Sequence, residues 1–249
     1  MQATDLWHKL HLHWHKGLVI GVLLCALSGQ TAQAQSSVRI NLPNYDEKWL
    51  HYGFLIGLHS SSYRLQYNDF FVSPAMDSVH SIVPRNLGGF KLGFISNIRL
   101  WQYLDFRALI QVGFYEFQTV YRYTDGSELT EFRDATIVEF PLLLKYKSVR
   151  RGNIGMYLIG GINPAFEASA QGEDEEEREK LQTRNFNLSL EAGVGFDLFF
   201  PLFKFSPELR YSFGLMNALE PEINSFNAGL QRLSPHNIGI FITFEGGPS

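Results

Sequence analysis

YLDFRALIQVGF, residues 103–114, sets Leu104, Phe106, Ala108, Ile110, Val112 and Phe114 at every second position. Between them stand Asp105, Arg107, Leu109, Gln111 and Gly113. Successive side chains of a β-strand point to opposite faces, so one face here is wholly apolar and the other carries a carboxylate and a guanidinium. In a soluble sandwich the polar face would look at water and the apolar face at a core. In a membrane barrel the two are exchanged. Which face is the outside decides the fold.

The same alternation recurs along the chain. Leu50, Tyr52, Phe54, Ile56 and Leu58 oppose His51, Gly53, Leu55, Gly57 and His59. Phe90, Leu92, Phe94, Ile98 and Leu100 oppose Lys91, Gly93, Asn97 and Arg99. Val138, Phe140, Leu142, Leu144 and Tyr146 oppose Glu139, Pro141 and Lys145. Residues 154–165, IGMYLIGGINPA, are apolar on both faces and their sides stay unassigned. Residues 186–199 set Phe186 to Leu198 at even numbers against Asn187, Ser189, Glu191, Gly193, Gly195 and Asp197. Phe205, Pro207, Leu209, Tyr211 and Phe213 oppose Lys204, Ser206, Glu208, Arg210, Ser212 and Gly214. Ile238, Ile240, Ile242 and Phe244 oppose Asn237, Gly239, Thr243 and Glu245.

Eight strands of roughly 11–14 residues result. Soluble strands average nearer 5–6, whereas a tilted membrane strand needs about 9–11. Trp101–Gln102, Ser148–Asn153 and Phe200–Leu202 are short turns, and the alternate connections are longer, led by Ser60–Leu87 and Phe166–Asn185. Short turns at one end and long loops at the other mark an outer-membrane barrel, so the apolar face is the outside. The opposite faces carry Lys91, Arg99, Arg107, Lys145, Lys204 and Arg210 against Asp105, Glu139, Glu191, Asp197, Glu208 and Glu245, six of each sign. A barrel of about eight strands is just filled by its own side chains, and buried charges must pair, which predicts a neutral, polar, plugged interior. The fold class is therefore all-β, an eight-stranded antiparallel transmembrane barrel over 49–249.

Composition agrees. The chain has 249 residues, a net charge of −4, 21 Phe and 11 Tyr. No concentrated basic face invites nucleic acid. Lys9 and Lys16 precede the apolar run GLVIGVLLCAL (17–27), and Ala32-Gln33-Ala34 closes the segment. That order reads as a secretion signal over 1–34 with cleavage after Ala34. The run is short of the roughly 20 residues that span a bilayer. His8, His11, His13 and His15, and Cys25, the only cysteine, all lie in that segment. The mature chain then has no thiol chemistry and no disulfide.

Chemistry elsewhere is sparse. His59-Ser60-Ser61-Ser62 invites a hydrolase reading, but hydroxyl residues at a strand end are ordinary loop formers. His51 faces the interior as a hydrogen-bonding group. Glu139, Glu191 and Glu208 face cations, which favours ion pairing over acid–base work. GEDEEEREK (172–180) lacks the ordered spacing of a calcium loop and reads as a solvated loop. Gly193-Val194-Gly195 has no following helix and is no nucleotide loop. No cofactor, metal or small-molecule substrate is expected.

NLPNYDEKWLHYGFLIGLH (41–59) resembles the opening of the PorT family, in which an Asn-Leu-Pro-Asn-Tyr-Asp segment leads straight into the first strand. VEFPLLLKY (138–146), LSLEAGVGFDLF (188–199), FSPELRYSFGL (205–215) and HNIGIFITFEG (236–246) are similar in the same way, though less specifically. The resemblance implies an outer-membrane barrel needed for type IX secretion, which exports proteases, adhesins and gliding-motility proteins. It brings no catalytic residues and no cofactor. Its implied partners are outer-membrane lipid and other secretion-system proteins. Residues 35–48 read as a periplasmic lead-in. Within it Asn41, Leu42, Pro43, Asn44, Tyr45 and Asp46 form either a docking surface or a tether. A generic barrel in adhesion or envelope integrity, a lipid-modifying enzyme and a pore are the rival readings. N-terminal sequencing of the protein isolated from membranes should begin at Gln35, and an intact Met1 would overturn the signal assignment.

Overall fold

The computed structural model describes residues 41–168, 183–220 and 229–246. The expected signal over 1–34 and the acidic run 172–180 lie outside the described residues. Ten strands follow in order: β1 (Leu50–Tyr67), β2 (Val79–Arg85), β3 (Leu87–Trp101), β4 (Leu104–Tyr123), β5 (Glu128–Glu139), β6 (Leu142–Lys147), β7 (Ile154–Glu167), β8 (Phe186–Phe199), β9 (Lys204–Gly214) and β10 (Leu230–Gly246). Only Asn86 separates β2 from β3, and only Phe140 and Pro141 separate β5 from β6. Two of the ten segments thus continue a neighbour, leaving eight staves. β1 pairs with β3, β3 with β4, and β4 with both β5 and β6. These pair with β7, and β8, β9 and β10 follow. β10 returns to β1, so an all-antiparallel ring closes without an edge at its waist.

Exposure separates the faces at period two. Phe54, Ile56, Leu58, Phe94, Ile110, Leu144, Leu190, Val194, Leu209 and Ile240 point outward. Leu55, Leu109 and most of the alternating charged residues are buried. The undecided stretch 154–165 resolves the same way, with Ile154, Met156, Leu158 and Ile162 outside and Tyr157, Ile159 and Asn163 inside. Apolar layers alternate with the polar interior. Leu55, Ile95, Leu109, Leu143, Tyr157, Ile159 and Phe241 form one, and Tyr63, Ile82, Tyr115, Phe117, Leu230 and Leu233 form another toward the long-loop end. Gly195 lets the Tyr157 ring lie against the wall, and a Cβ there would meet that ring.

Four boundaries differ from the sequence expectation, one being the start of β10 at Leu230 rather than His236. Residues 118–135 are not a loop: β4 and β5 pair up to Arg122↔Glu128. The tip turns at Gly126, whose φ of +87° suits glycine. There the hydroxyl and amide of Ser127 donate to Asp125 (2.6 and 2.8 Å). Those bonds hold its carboxyl below the usual range. Residues 60–87 are likewise mostly strand, with two short 3-10 turns between β1 and β2. Pro141 divides the single strand expected over 136–147, since it has no N–H to give the ladder. Its carbonyl still accepts from Leu109 N (3.0 Å).

Above the Ser61↔Leu87 pair, β1 keeps only β10 as partner while β2 turns to β4. The Tyr67 hydroxyl bridges this seam, donating to Ile82 O (2.8 Å) and accepting from Ile82 N (3.2 Å).

Val194→Arg should destabilise the barrel by about 2–4 kcal/mol, and Glu116→Arg at the rim by about 0–1. Urea unfolding in lipid vesicles checks this. Equal losses would mean that the outward face of β8 does not meet hydrocarbon.

Candidate functional site

Alternation places acids and bases of β3, β4, β5, β6, β8, β9 and β10 in one enclosed space, where each needs a partner because water is scarce. Eleven of the twelve expected interior charges are buried: five cations, Lys91, Arg107, Lys145, Lys204 and Arg210, and six acids, Asp105, Glu139, Glu191, Asp197, Glu208 and Glu245. Arg107 sits between Glu208 (2.7 Å) and Glu245 (3.0 Å) with no exposed side-chain surface. Its Nε donates to Asn97 Oδ1 (2.8 Å), and Asn97 in turn donates to Glu245. Lys204 pairs with Glu245 (2.9 Å) and lies 3.7 Å from Asp197. Lys145 takes Asp197 directly (2.9 Å) and lies 3.7 Å from the centre of the Tyr157 ring. Tyr157 donates to Glu208 (2.6 Å).

A second cluster lies nearer the long loops. Lys91 Nζ donates to both oxygens of Glu139 (2.9 and 3.1 Å), which also accepts from Gln111 and Tyr115. Arg210 donates to Glu208 and lies 3.8 Å from Glu191, which accepts from Asn163 (2.8 Å).

Arg99 is the exception. It is half-buried and makes no ion pair among the described residues, although it faces Asp105 in register. Lys147 takes Asp105 instead (2.8 Å) and supplies the sixth interior cation. Lys147 stands two residues after Lys145 on the same face of the expected strand 136–147, and at its last position it falls outside the interior cations read from the sequence.

Toward the short-turn end the network meets the 41–48 segment. Tyr45 is buried, stacks on His51 (3.9 Å) and meets Phe199 edge-on (5.6 Å). Its hydroxyl donates to Glu245 (3.3 Å), and burial pushes the phenol well above its ordinary range, so it remains a neutral donor. His51 Nε2 donates to Tyr45 O (2.8 Å). Arg150, in the turn after β6, donates to Leu42 O (3.1 Å) and to Asn41 O, and lies over the Phe199 ring (3.6 Å). Asn41 N donates to Asn153 Oδ1 (3.0 Å) and Asn41 Nδ2 to Phe199 O (2.9 Å). Leu42 takes a left-handed φ of 47°, unusual for a branched residue. Asn41 and Tyr45 are thus spent on capping the barrel mouth. Pro43 and Asn44 are exposed, while Leu42 and Asp46 are half-buried. Arg150 and Asn153 were missed from sequence because turn residues carry no periodic signal.

His59 and Ser61 do meet: His59 Nδ1 and Ser61 Oγ are hydrogen-bonded at 2.8 Å. Both are buried, and the His59 ring packs on Tyr115 (4.4 Å) inside the wall. The pair is a packed interior contact. Among the described residues no three His, Cys, Asp or Glu side chains are grouped to hold a metal ion.

Residues 32–220 match the family described as outer membrane protein beta-barrel domain, and the chain belongs to that family. It is a protein of the bacterial outer membrane. It is similar in structure to OprG of Pseudomonas aeruginosa, at 11% identity over 79% of this chain and 96% of that one, TM-score 0.47. Neisserial surface protein A is similar at 12% identity over 79% and 98%, TM-score 0.40. Ail of Yersinia pestis is similar at 11% identity over 80% and 99%, TM-score 0.34. No curated protein is significantly similar in sequence.

Lys91→Met should cost about 3–5 kcal/mol by stranding Glu139, and Lys91→Met with Glu139→Gln should regain most of it. Chemical unfolding of the reconstituted barrel measures both. A double variant no better than the single would mean that the stranded charge is not the cause.

Proposed function

We propose that this outer-membrane barrel is a non-enzymatic component of the type IX secretion apparatus, serving as a fixed scaffold for other components rather than as the conduit. The observation that carries the reading is the 41–48 segment. The residues that resemble the opening of the PorT family are those that cap the mouth on the short-turn, periplasmic side. Tyr45 and Asn41 anchor the cap inward. Pro43, Asn44 and Glu47 remain exposed on it, open to a periplasmic partner. A lumen crossed by paired charges supports a scaffold over a pore. The enclosure of His59 and Ser61 supports a non-enzymatic role.

A second reading, adhesion or envelope maintenance, has one observation in its favour. The β4–β5 hairpin runs beyond the apolar band and exposes Leu129 and Phe132, a shape suited to surface contact.

Clean deletion separates the two. Under the secretion reading, cargo proteases and adhesins accumulate in the periplasm and return to the medium and cell surface when the gene is restored. Normal export from the deletion strain would sink the secretion role and leave the adhesion reading standing.

A further inference from the structure

One arc of the outer rim treats charge differently from the interior, while elsewhere on the rim Arg122 pairs with Glu128 (2.8 Å) and Arg133 with Glu167 (2.7 Å). On β1 the last large apolar residue facing lipid is Leu58, on β10 Ile238, on β3 Phe90 and on β4 Phe114. Above them on three adjacent staves stand Arg64 of β1, Arg85 of β2 and Arg232 of β10. Their sides follow from their neighbours. Tyr63, Ile82 and Leu233 are buried inside, so Arg64, Arg85 and Arg232 fall on the outer face. Arg64 lies opposite Ser234 and Arg232 opposite Gln66, which places the two guanidinium stems on neighbouring strands two residues apart in register. Arg85 lies opposite Gln118 on the other side of the seam.

Arg64 and Arg85 are exposed, and Arg232 is half-buried. Arg232 lies over Ser234, donating from Nε to its Oγ (3.1 Å) and from Nη2 to Leu215 O (2.8 Å), so its head is held in place. None of the three makes an ion pair among the described residues, whereas every fully buried cation of the strands has an acid within 4 Å. The outward acids closest in register are Glu116 and Asp134, paired opposite each other on β4 and β5. Both are exposed, and they bound the basic arc on that side.

We infer that Arg64, Arg85 and Arg232 form a binding surface for the phosphate groups of the outer-leaflet glycolipid. Guanidinium groups grip phosphate through paired N–H donors, and unpaired cations are the ones free to do so. The outward, lipid-side face favours lipid over a soluble polyanion. The arc begins at the level of Gln118, four residues beyond Phe114, and Arg64 and Arg232 stand six residues beyond Leu58 and Ile238, from where long guanidinium stems lean back along the wall to the headgroup phosphates. The inference rests on the outer-membrane placement and is independent of the secretion reading.

The test uses the full-length protein in detergent, titrated with bisphosphorylated lipid A, with the same lipid after dephosphorylation, and with phosphatidylglycerol, and read as bound lipid by native mass spectrometry. The bisphosphorylated form should bind best. Arg64→Glu/Arg85→Glu should weaken it on the order of tenfold or more while leaving the dephosphorylated form unchanged. Neither arginine has an ion pair to lose among the described residues, and heat-modifiable gel mobility verifies that the variant is folded. Should charge reversal impair folding, Arg64→Gln/Arg85→Gln gives the same readout. Equal binding of both lipid A forms, or no loss in the variants, would overturn the site. Phosphatidylglycerol binding as tightly as lipid A would overturn the choice of glycolipid.

Discussion

Arg107 held between Glu208 and Glu245, with no exposed side-chain surface on any of the three, is the interaction on which the rest of this barrel depends. A guanidinium in that position is tolerable only while both carboxylates stay in place, because removing one partner leaves an uncompensated buried charge. Arg107 lies on β4, Glu208 on β9 and Glu245 on β10. The triad therefore spans the lumen from β4 to the neighbouring staves β9 and β10 on the far side of the ring. It also fixes register. A slip of one residue in any of these strands would turn its charges into hydrocarbon and its apolar residues into the lumen. The apolar exterior and the charged interior are thus one constraint seen from two sides.

The cap extends the same logic to the end of the barrel. Glu245 accepts from Asn97 and from Tyr45, and pairs with both Arg107 and Lys204. One carboxylate near the last rung of β10 therefore ties the wall, the core network and the preceding segment together. Tyr45 is suited to that place because its ring fills space against His51 and Phe199 while its hydroxyl adds a third donor to the Glu245 oxygen that Asn97 and Lys204 already serve. Pro43 and Asn44 remain outside because the chain must turn back to enter β1. The left-handed Leu42 is where that reversal concentrates its strain.

The faces of the strands were legible in sequence because period two survives wherever lipid meets one side. Residues 154–165 were not, since Gly160, Gly161 and Ile159 are apolar both inside and out. Only pairing with β6 and β8 assigns their sides. The 118–135 extension was hidden for a different reason. Above the membrane the outer face is free to be polar, so Glu116, Gln118 and Arg122 erase the contrast while the hydrogen-bond ladder continues. Charge identity was readable, but partnership was not. Arg99 faces Asp105 across one rung, yet Lys147 reaches that carboxylate from the next strand, because pairing in a tilted barrel follows side-chain reach as well as register. The capping role of Arg150 depends on where a turn falls in space, and no periodicity encodes that.

Paired charge inside contrasts with one arc of the outer rim, although elsewhere on that rim Arg122 pairs with Glu128 and Arg133 with Glu167. Inside, fixed partners and low polarity make each pair costly to break, so these residues specify one structure. At the rim, Arg64 and Arg85 are exposed and unpaired among the described residues. Water and salt screen them there, and carrying them costs the fold little. Groups that cost little and stabilise nothing within the chain are the ones available to a neighbour. The same reasoning applies at the two ends. The capped mouth spends Asn41, Tyr45 and Arg150 on contacts within the chain, and at the opposite rim Arg122 and Arg133 are likewise paired, with Glu128 and Glu167, which leaves the arc of Arg64, Arg85 and Arg232 as the exception.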